Sequence, residues 1–209
     1  IPVAERPKNV CVMVMDNPDG HAFGGGAKAA TEEVGYRLAL YEAYPEGAKD
    51  YSASILRMRA EKVDALVILC SSADGITLIR QIKEAKFNLK YIWGAKGFWP
   101  AEFGLALGTD SDYIVSDAHW AEKAGYPGAK ELGDRFRVDF GKTSVTVGNF
   151  YSIVQALAQA IEQAGSLDSA KVRDVFYSGT FVAKATTNGD LKFSDRAWAE
   201  IPPVGFQWM

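Results

Sequence analysis

"NVCVMVMDNPDGHAFGGGAKAATEEVGYRLALYEAY", residues 9–44, sets the fold class. Residues 9–15 and 37–44 are apolar-rich runs bounded by polar and glycine punctuation, which predicts strands, and 24–34 between them predicts a helix. The first run is apolar on consecutive residues, the pattern of a parallel strand covered on both faces. Strand, helix and strand then form a βαβ unit with a right-handed crossover.

The glycines inside the unit raise a second possibility. Gly24-x-Gly26-x-x-Ala29 has the spacing of a phosphate-cradling turn, and Glu42 stands roughly 20 residues on, where a ribose-binding acid is expected. In a dinucleotide fold, however, the first glycine follows the strand almost directly, so that the helix N-terminus meets the pyrophosphate. Here Asn17 to Phe23 intervene after Asp16, and Lys28 lacks the following Ser or Thr of a P-loop. The longer loop predicts another purpose, which is to present Phe23 at the carboxyl edge of the sheet ahead of the helix.

Working outward, "DALVILC" (64–70), "KYIWG" (90–94) and "DYIVS" (112–116) predict further strands, alternating with helices over 51–61, 73–86 and 99–107. The fold class is therefore α/β, with a doubly wound parallel sheet. Near His119 the character changes. Helices are predicted over 127–140, 145–164 and 169–177, the second with Val147, Phe150, Val154, Leu157 and Ile161 at three- and four-residue spacing. "FVAKATTNGDLKFS" carries an Asn188-Gly189 hairpin turn, and "IPPVGFQWM" begins one more strand. These amphipathic helices need a sheet to cover, and their half of the chain offers little beyond a hairpin. Their partner is expected to lie outside this chain.

Composition narrows the function classes. Across 209 residues, 48% are hydrophobic and 23% charged, and the net charge of −3 is spread along the chain, which gives no general attraction to nucleic acid or to an anionic membrane. No apolar run approaches the roughly 20 residues of a membrane span, and "IPVAERPKNV" lacks the blocks of a signal peptide. The two cysteines, Cys11 and Cys70, sit in apolar runs and read as buried small hydrophobes, with no Cys or His at ligand spacing near either. His21 and His119 have no neighbour that suggests a triad or a metal site, so no cofactor and no metal is expected.

Three motifs, in order, carry a resemblance. They are the aromatic-Gly-x-Gly helix start (Phe23, Gly24, Gly26), "YPEGAKDYSASILRMR" (44–59), and "VDALVILCSSADGITLIRQIKEA" (63–85); "QALAQAIEQAGSLDSAKVRDVF" (155–176) adds a fourth. With them the chain resembles the periplasmic solute-binding proteins of the branched-chain amino-acid type. The resemblance implies two α/β lobes joined by three crossovers, closing on a ligand and delivering it to an ABC permease in the membrane. It implies lobe two over 1–118, a returning part of lobe one over 119–200 and the start of the final crossover over 201–209, with most of lobe one missing. It also implies a periplasmic or extracytoplasmic location, a full-length monomer and no enzymatic activity.

An open α/β sheet binds ligands beyond the carboxyl ends of its strands. Those positions here are 17–23, 71–74, 95–99 and 117–120, and they hold His21, Phe23, Ser71, Ser72, Lys96 and Phe98. By resemblance, Phe23 packs on the ligand, Ser71 and Ser72 line the cleft, and Lys96 stands where amino-acid-binding relatives hold an ammonium with an acid. A cation there implies a ligand with an anionic or neutral polar end and an apolar or aromatic body, in preference to a zwitterionic amino acid. The bland readings stand beside these: Phe23 as a hydrophobic staple, Ser71 and Ser72 as helix caps, Lys96 as a solvated surface residue, Phe98 and Trp99 as core, and Trp120 as hinge packing. Three classes remain open on sequence: a transport receptor, a ligand-sensing domain of a regulatory protein, and an NAD-type enzyme. The last lacks a catalytic constellation.

Overall fold

The computed structural model describes residues 2–209. The chain forms two compact units, one running to Asp117 and including Gly205–Met209, the other Ala118–Val204.

The first unit is built on a six-stranded sheet. Its strands are β1 (Asn9–Met15), β2 (Arg37–Tyr44), β3 (Ala65–Cys70), β4 (Tyr91–Lys96), β5 (Val115–Ala118) and a late strand, Val204–Gln207, in the order β2-β1-β3-β4-β5 with the late strand beside β5. Neighbours from β2 to β5 are parallel. Helices α1 (Pro18–Glu33), α2 (Ser52–Ala60), α3 (Ser72–Glu84) and α4 (Ala101–Leu107) connect them. Because side chains alternate across a strand, β1 feeds two cores. Cys11, Met13 and Met15 join Ile55 and Met58 of α2, Leu78, Ile79 and Ile82 of α3, and Phe103 of α4. Val10, Val12 and Val14 join Ala65, with Phe23 and Ala27 of α1 packed against them. Each fully buried Leu, Ile or Met contributes roughly 1.5–3 kcal/mol, so the better covered α2–α4 face holds the unit together.

The start of α1 corrects the sequence reading. A helix was expected from residue 24 after a long loop, but α1 begins at Pro18, capped by Asn17, whose side chain accepts a hydrogen bond from the Gly20 amide at 2.8 Å. Asn at the cap and Pro at the first helical position are helix-start signals, and they outweigh the glycines that follow. The glycine run therefore lies inside a helix, where its amides bond along the helix and cannot cradle a phosphate. Gly24 has a packing reason: a Cβ there would stand 2.4 Å from the Tyr41 hydroxyl of β2. Gly20 has another, since its Cβ would fall 1.9 Å from the Met15 carbonyl oxygen.

The second unit contains α5 (Ala129–Phe140), α6 (Val147–Ala164), α7 (Ser169–Phe176) and the hairpin β6 (Val182–Thr186) and β7 (Gly189–Lys192); the late strand of the first unit is β8. Asp168 caps α7 by accepting from the Ala170 and Lys171 amides, and Gly165 ends α6 in the left-handed region at φ 60°. Its core is small: Ala156, Ala160, Val172, Phe181, Ala183 and Leu191. The hairpin turn falls on Thr187 and Asn188, one residue earlier than expected, with Gly189 at φ 81° opening β7. Asn188 is buried and donates to the His119 carbonyl at 2.7 Å, which fixes the turn. Trp120 is buried too, against Gly148, where a Cβ would come within 2.2 Å of the indole.

Candidate functional site

The carboxyl end of the parallel sheet carries one of the first unit's polar clusters. Lys96 is the last residue of β4, paired in register with Cys70, the last residue of β3. It holds φ 61°, the left-handed region that a residue with a Cβ enters at a cost of about 1–3 kcal/mol. Lys62 and Lys86 share this conformation but follow helix ends, where it is common. Lys96 instead turns the chain off a strand. Gly97 completes the turn by lying on the β3 end: a Cβ there would sit 2.4 Å from the Ser71 carbonyl oxygen.

The turn brings the Lys96 ammonium onto the Asp19 carboxylate in the first turn of α1, both side chains half-exposed. Lys96 is thus not a bare cation. Beside it His21 Nε2 meets Asp16 Oδ1 at 2.8 Å, and Asn17 Nδ2 donates to Glu46 Oε2 at 3.4 Å. At the β5 end Trp99 Nε1 donates to Asp117 Oδ1 at 3.1 Å. Asp16, Asp19, Glu46 and Asp117 against Lys96 and His21 make this rim acidic on balance.

The predicted residues separate into two groups. Lys96 and His21 stand at the rim, as ion-pair members. Ser71 caps α3, accepting from the Asp74 amide at 3.2 Å and donating to Asp74 Oδ2 at 2.9 Å, while Ser72 opens that helix half-buried. Asp74 is itself buried and accepts from the Gly47 amide at 2.9 Å, so Ser71 belongs to a structural network. Phe98 is corrected to a core residue: it has no exposed surface, stacks on Phe103 at 4.3 Å and fills the space left by Gly75 and Gly94. It supports the Lys96 turn and offers a ligand nothing directly.

Phe23 is not on a loop but in the second turn of α1, half-buried and parallel to Trp93 of β4, with ring centroids 5.9 Å apart. It lines a cavity of about 870 Å³ on the α1 face of the sheet, with Gly26, Ala30, Val67, Tyr91 and Trp93. Asp19 and Phe23 are four residues apart on one face of α1; Asp19 pairs with Lys96 and Phe23 stacks on Trp93, both of β4. The cavity lining runs on to Arg6, Val10 and Ala65 and includes neither Asp19 nor Lys96, so the charged pair lies outside it and adjoins the aromatic pair only along α1. Sequence reading missed Asp19 because the helix was started too late; Asn17-Pro18-Asp19, a cap, a proline and an acid in the first turn, was the available signal.

The remaining titratable candidates are structural. Burial pushes the Cys11 and Cys70 thiols well above the ordinary thiol range, which disfavours the thiolate in the folded protein. Among the described residues no cluster of His, Cys, Asp and Glu could hold a metal ion, and no helix is long and apolar enough to cross a membrane.

Comparison with known proteins bears on the fold and the family. The chain is 26% identical over 197 residues to the leucine-, isoleucine-, valine-, threonine- and alanine-binding protein of Pseudomonas aeruginosa, covering 93% of this chain and 52% of that protein. It is 29% identical over 168 residues to a Leu/Ile/Val-binding protein of Rhizobium johnstonii, covering 79% and 45%. It thus spans about half the length of these relatives. Among solved structures, the branched-chain amino-acid-binding protein of Streptococcus pneumoniae in complex with isoleucine superposes with a TM-score of 0.82 at 18% identity, over 99% of this chain and 58% of that one. A solute-binding protein of R. palustris in complex with benzoate gives 0.82 at 12% identity, over 96% and 55%. At these identities the likeness is one of fold. The family model described as periplasmic binding protein matches residues 3–198, and the chain belongs to that family.

Proposed function

We propose that this chain belongs to an extracytoplasmic receptor, with residues 1–118 as a ligand-binding lobe, that captures a small carboxylate-bearing solute with an apolar body and hands it to an ABC importer. The observation that carries the reading is Lys96, held in a costly backbone conformation at the carboxyl end of a parallel sheet, where such sheets bind ligands. Its ammonium would receive the solute's carboxylate, and the Phe23 and Trp93 rings beside it would take the apolar body, aliphatic or aromatic. Branched-chain amino acids and aromatic acids both have this form, and the two solved structures named above hold isoleucine and benzoate. A second lobe closing over that end would trap the solute, and the closed state is what a permease would recognise.

Calorimetric titration of the full-length protein with leucine and with benzoate tests the reading. Saturable binding of at least one, weakened by Lys96→Ala with the melting temperature kept, is the expected result. Tight binding that ignores Lys96→Ala would remove Lys96 from the site, and failure to bind any carboxylate would remove the ligand class.

A further inference from the structure

We infer that Asp19 is a specificity-determining residue of this site: it is an internal counter-ion held on Lys96, and it disfavours ligands whose only charge is a carboxylate. The inference rests on the carboxylate reading given above. The ammonium that would meet the ligand is already engaged by Asp19 across the gap between β4 and α1. A ligand carboxylate placed on Lys96 is therefore brought close to a second carboxylate, and like charges within a few ångströms repel. Asp19 cannot relieve this by moving its backbone. The Asn17 cap holds the Gly20 amide at 2.8 Å, Gly20 lies against the Met15 carbonyl too closely to admit a Cβ, and Phe23 one turn on is packed against Trp93. What can yield are the two half-exposed side chains, Asp19 and Lys96.

The neighbouring groups reinforce the sign. Asp16 and Glu46 add negative charge on the same rim, and His21 is turned onto Asp16. A ligand that carries an ammonium next to its carboxylate escapes the penalty, because its own cation can face Asp19 while its carboxylate faces Lys96. The pair thus reads the pattern of charge on the ligand, whereas Lys96 alone would read only the presence of an anion.

Titrations of the full-length protein with benzoate and with leucine, on wild type, Asp19→Asn, Lys96→Met and the double variant, separate the possibilities. An exposed ion pair of this kind is worth a small factor, so Asp19→Asn is expected to tighten benzoate about three- to fivefold and to weaken leucine, whose ammonium loses its partner. The benzoate gain is expected to vanish in the Lys96→Met background. Benzoate affinity unchanged or weakened by Asp19→Asn, while Lys96→Met still weakens it, overturns the role of Asp19 and leaves the carboxylate reading intact. The same gain with and without Lys96 overturns the counter-ion mechanism. No binding of either solute by any variant overturns both readings. Both side chains are half-exposed, so the variants are expected to fold, and their melting temperatures check it.

Discussion

Helices α3 and α6 carry similar apolar periodicity and treat it in opposite ways. On α3 the large residues Leu78, Ile79 and Ile82 are at most 1% exposed against the sheet. On α6 the buried positions are Gly148, Ser152, Ala156 and Ala160, while Phe150, Ile153, Val154 and Leu157 remain 44–68% exposed. Pattern alone does not tell these cases apart, since both helices have an apolar stripe. What differs is the cover available: six strands in the first unit, a two-stranded hairpin in the second, among the described residues.

The comparison breaks most readily on matched truncations. Leu78→Ala removes a fully buried side chain and is expected to cost about 2–5 kcal/mol, whereas Leu157→Ala on the open face of α6 is expected to stay within about 0.5 kcal/mol. Urea unfolding of each variant of this chain reads the difference. Equal losses would mean that the α6 face is covered in solution.

A pair of glycines tests the same contrast inside the first unit. Gly94 lies under Phe98, and a Cβ there would come within 2.3 Å of the ring; Gly26, on α1, has nothing within 4 Å. Gly94→Ala overpacks a filled core and is expected to destabilise by about 1–3 kcal/mol or more. Gly26→Ala should stabilise by roughly 0.5–1 kcal/mol, because alanine loses less entropy in a helix. Thermal melting gives both signs, and a loss at Gly26 would show that the position is more crowded than this structure has it.

These contrasts also explain what was legible in the sequence. The consecutive apolar runs of β1 and β3 announce a parallel sheet because burial on both faces leaves no polar alternation to see. The α1 start was misplaced because a glycine triplet reads as a loop until the cap at Asn17 and the proline after it are weighed. Phe98 was indistinguishable from a cleft residue, since a lone aromatic after a strand end has the same local sequence in core and cleft; only Gly75 and Gly94, distant in sequence, make room for it. The Lys96–Asp19 pair joins positions 77 residues apart, and no local pattern encodes such a meeting.

The open face of α6 has a consequence in solution. Four large side chains in one stripe, with Tyr151 beside them, form a surface larger than scattered apolar residues make, and such a patch favours association. This chain alone is expected to elute above its monomer mass in a concentration-dependent way, and Val154→Glu is expected to shift it toward monomer. A monodisperse monomer at all concentrations would show that the stripe is harmless.

The smallest expected effect concerns acid and lies in the hairpin. Asp190 accepts from Lys184 Nζ at 2.7 Å and from the Ala185 amide at 2.8 Å, and these bonds, the lysine's first, hold its carboxyl below the usual aspartate range. Ala185 sits at φ 51° where the β6–β7 register shifts, so the second bond pins an irregular residue. A carboxyl whose folded pKa is depressed stabilises the fold above its unfolded value, about 3.9, and loses that contribution as pH falls through the folded value. Wild type is therefore expected to melt slightly above Asp190→Asn at pH 7, with the two converging as the pH is lowered below about 4. The group is solvated, so the gap at neutral pH is small and shrinks further with added salt. If the gap widened on acidification instead, the carboxylate would not be what holds the bulge, and the hairpin would owe its geometry to Asn188 and its bond to the His119 carbonyl.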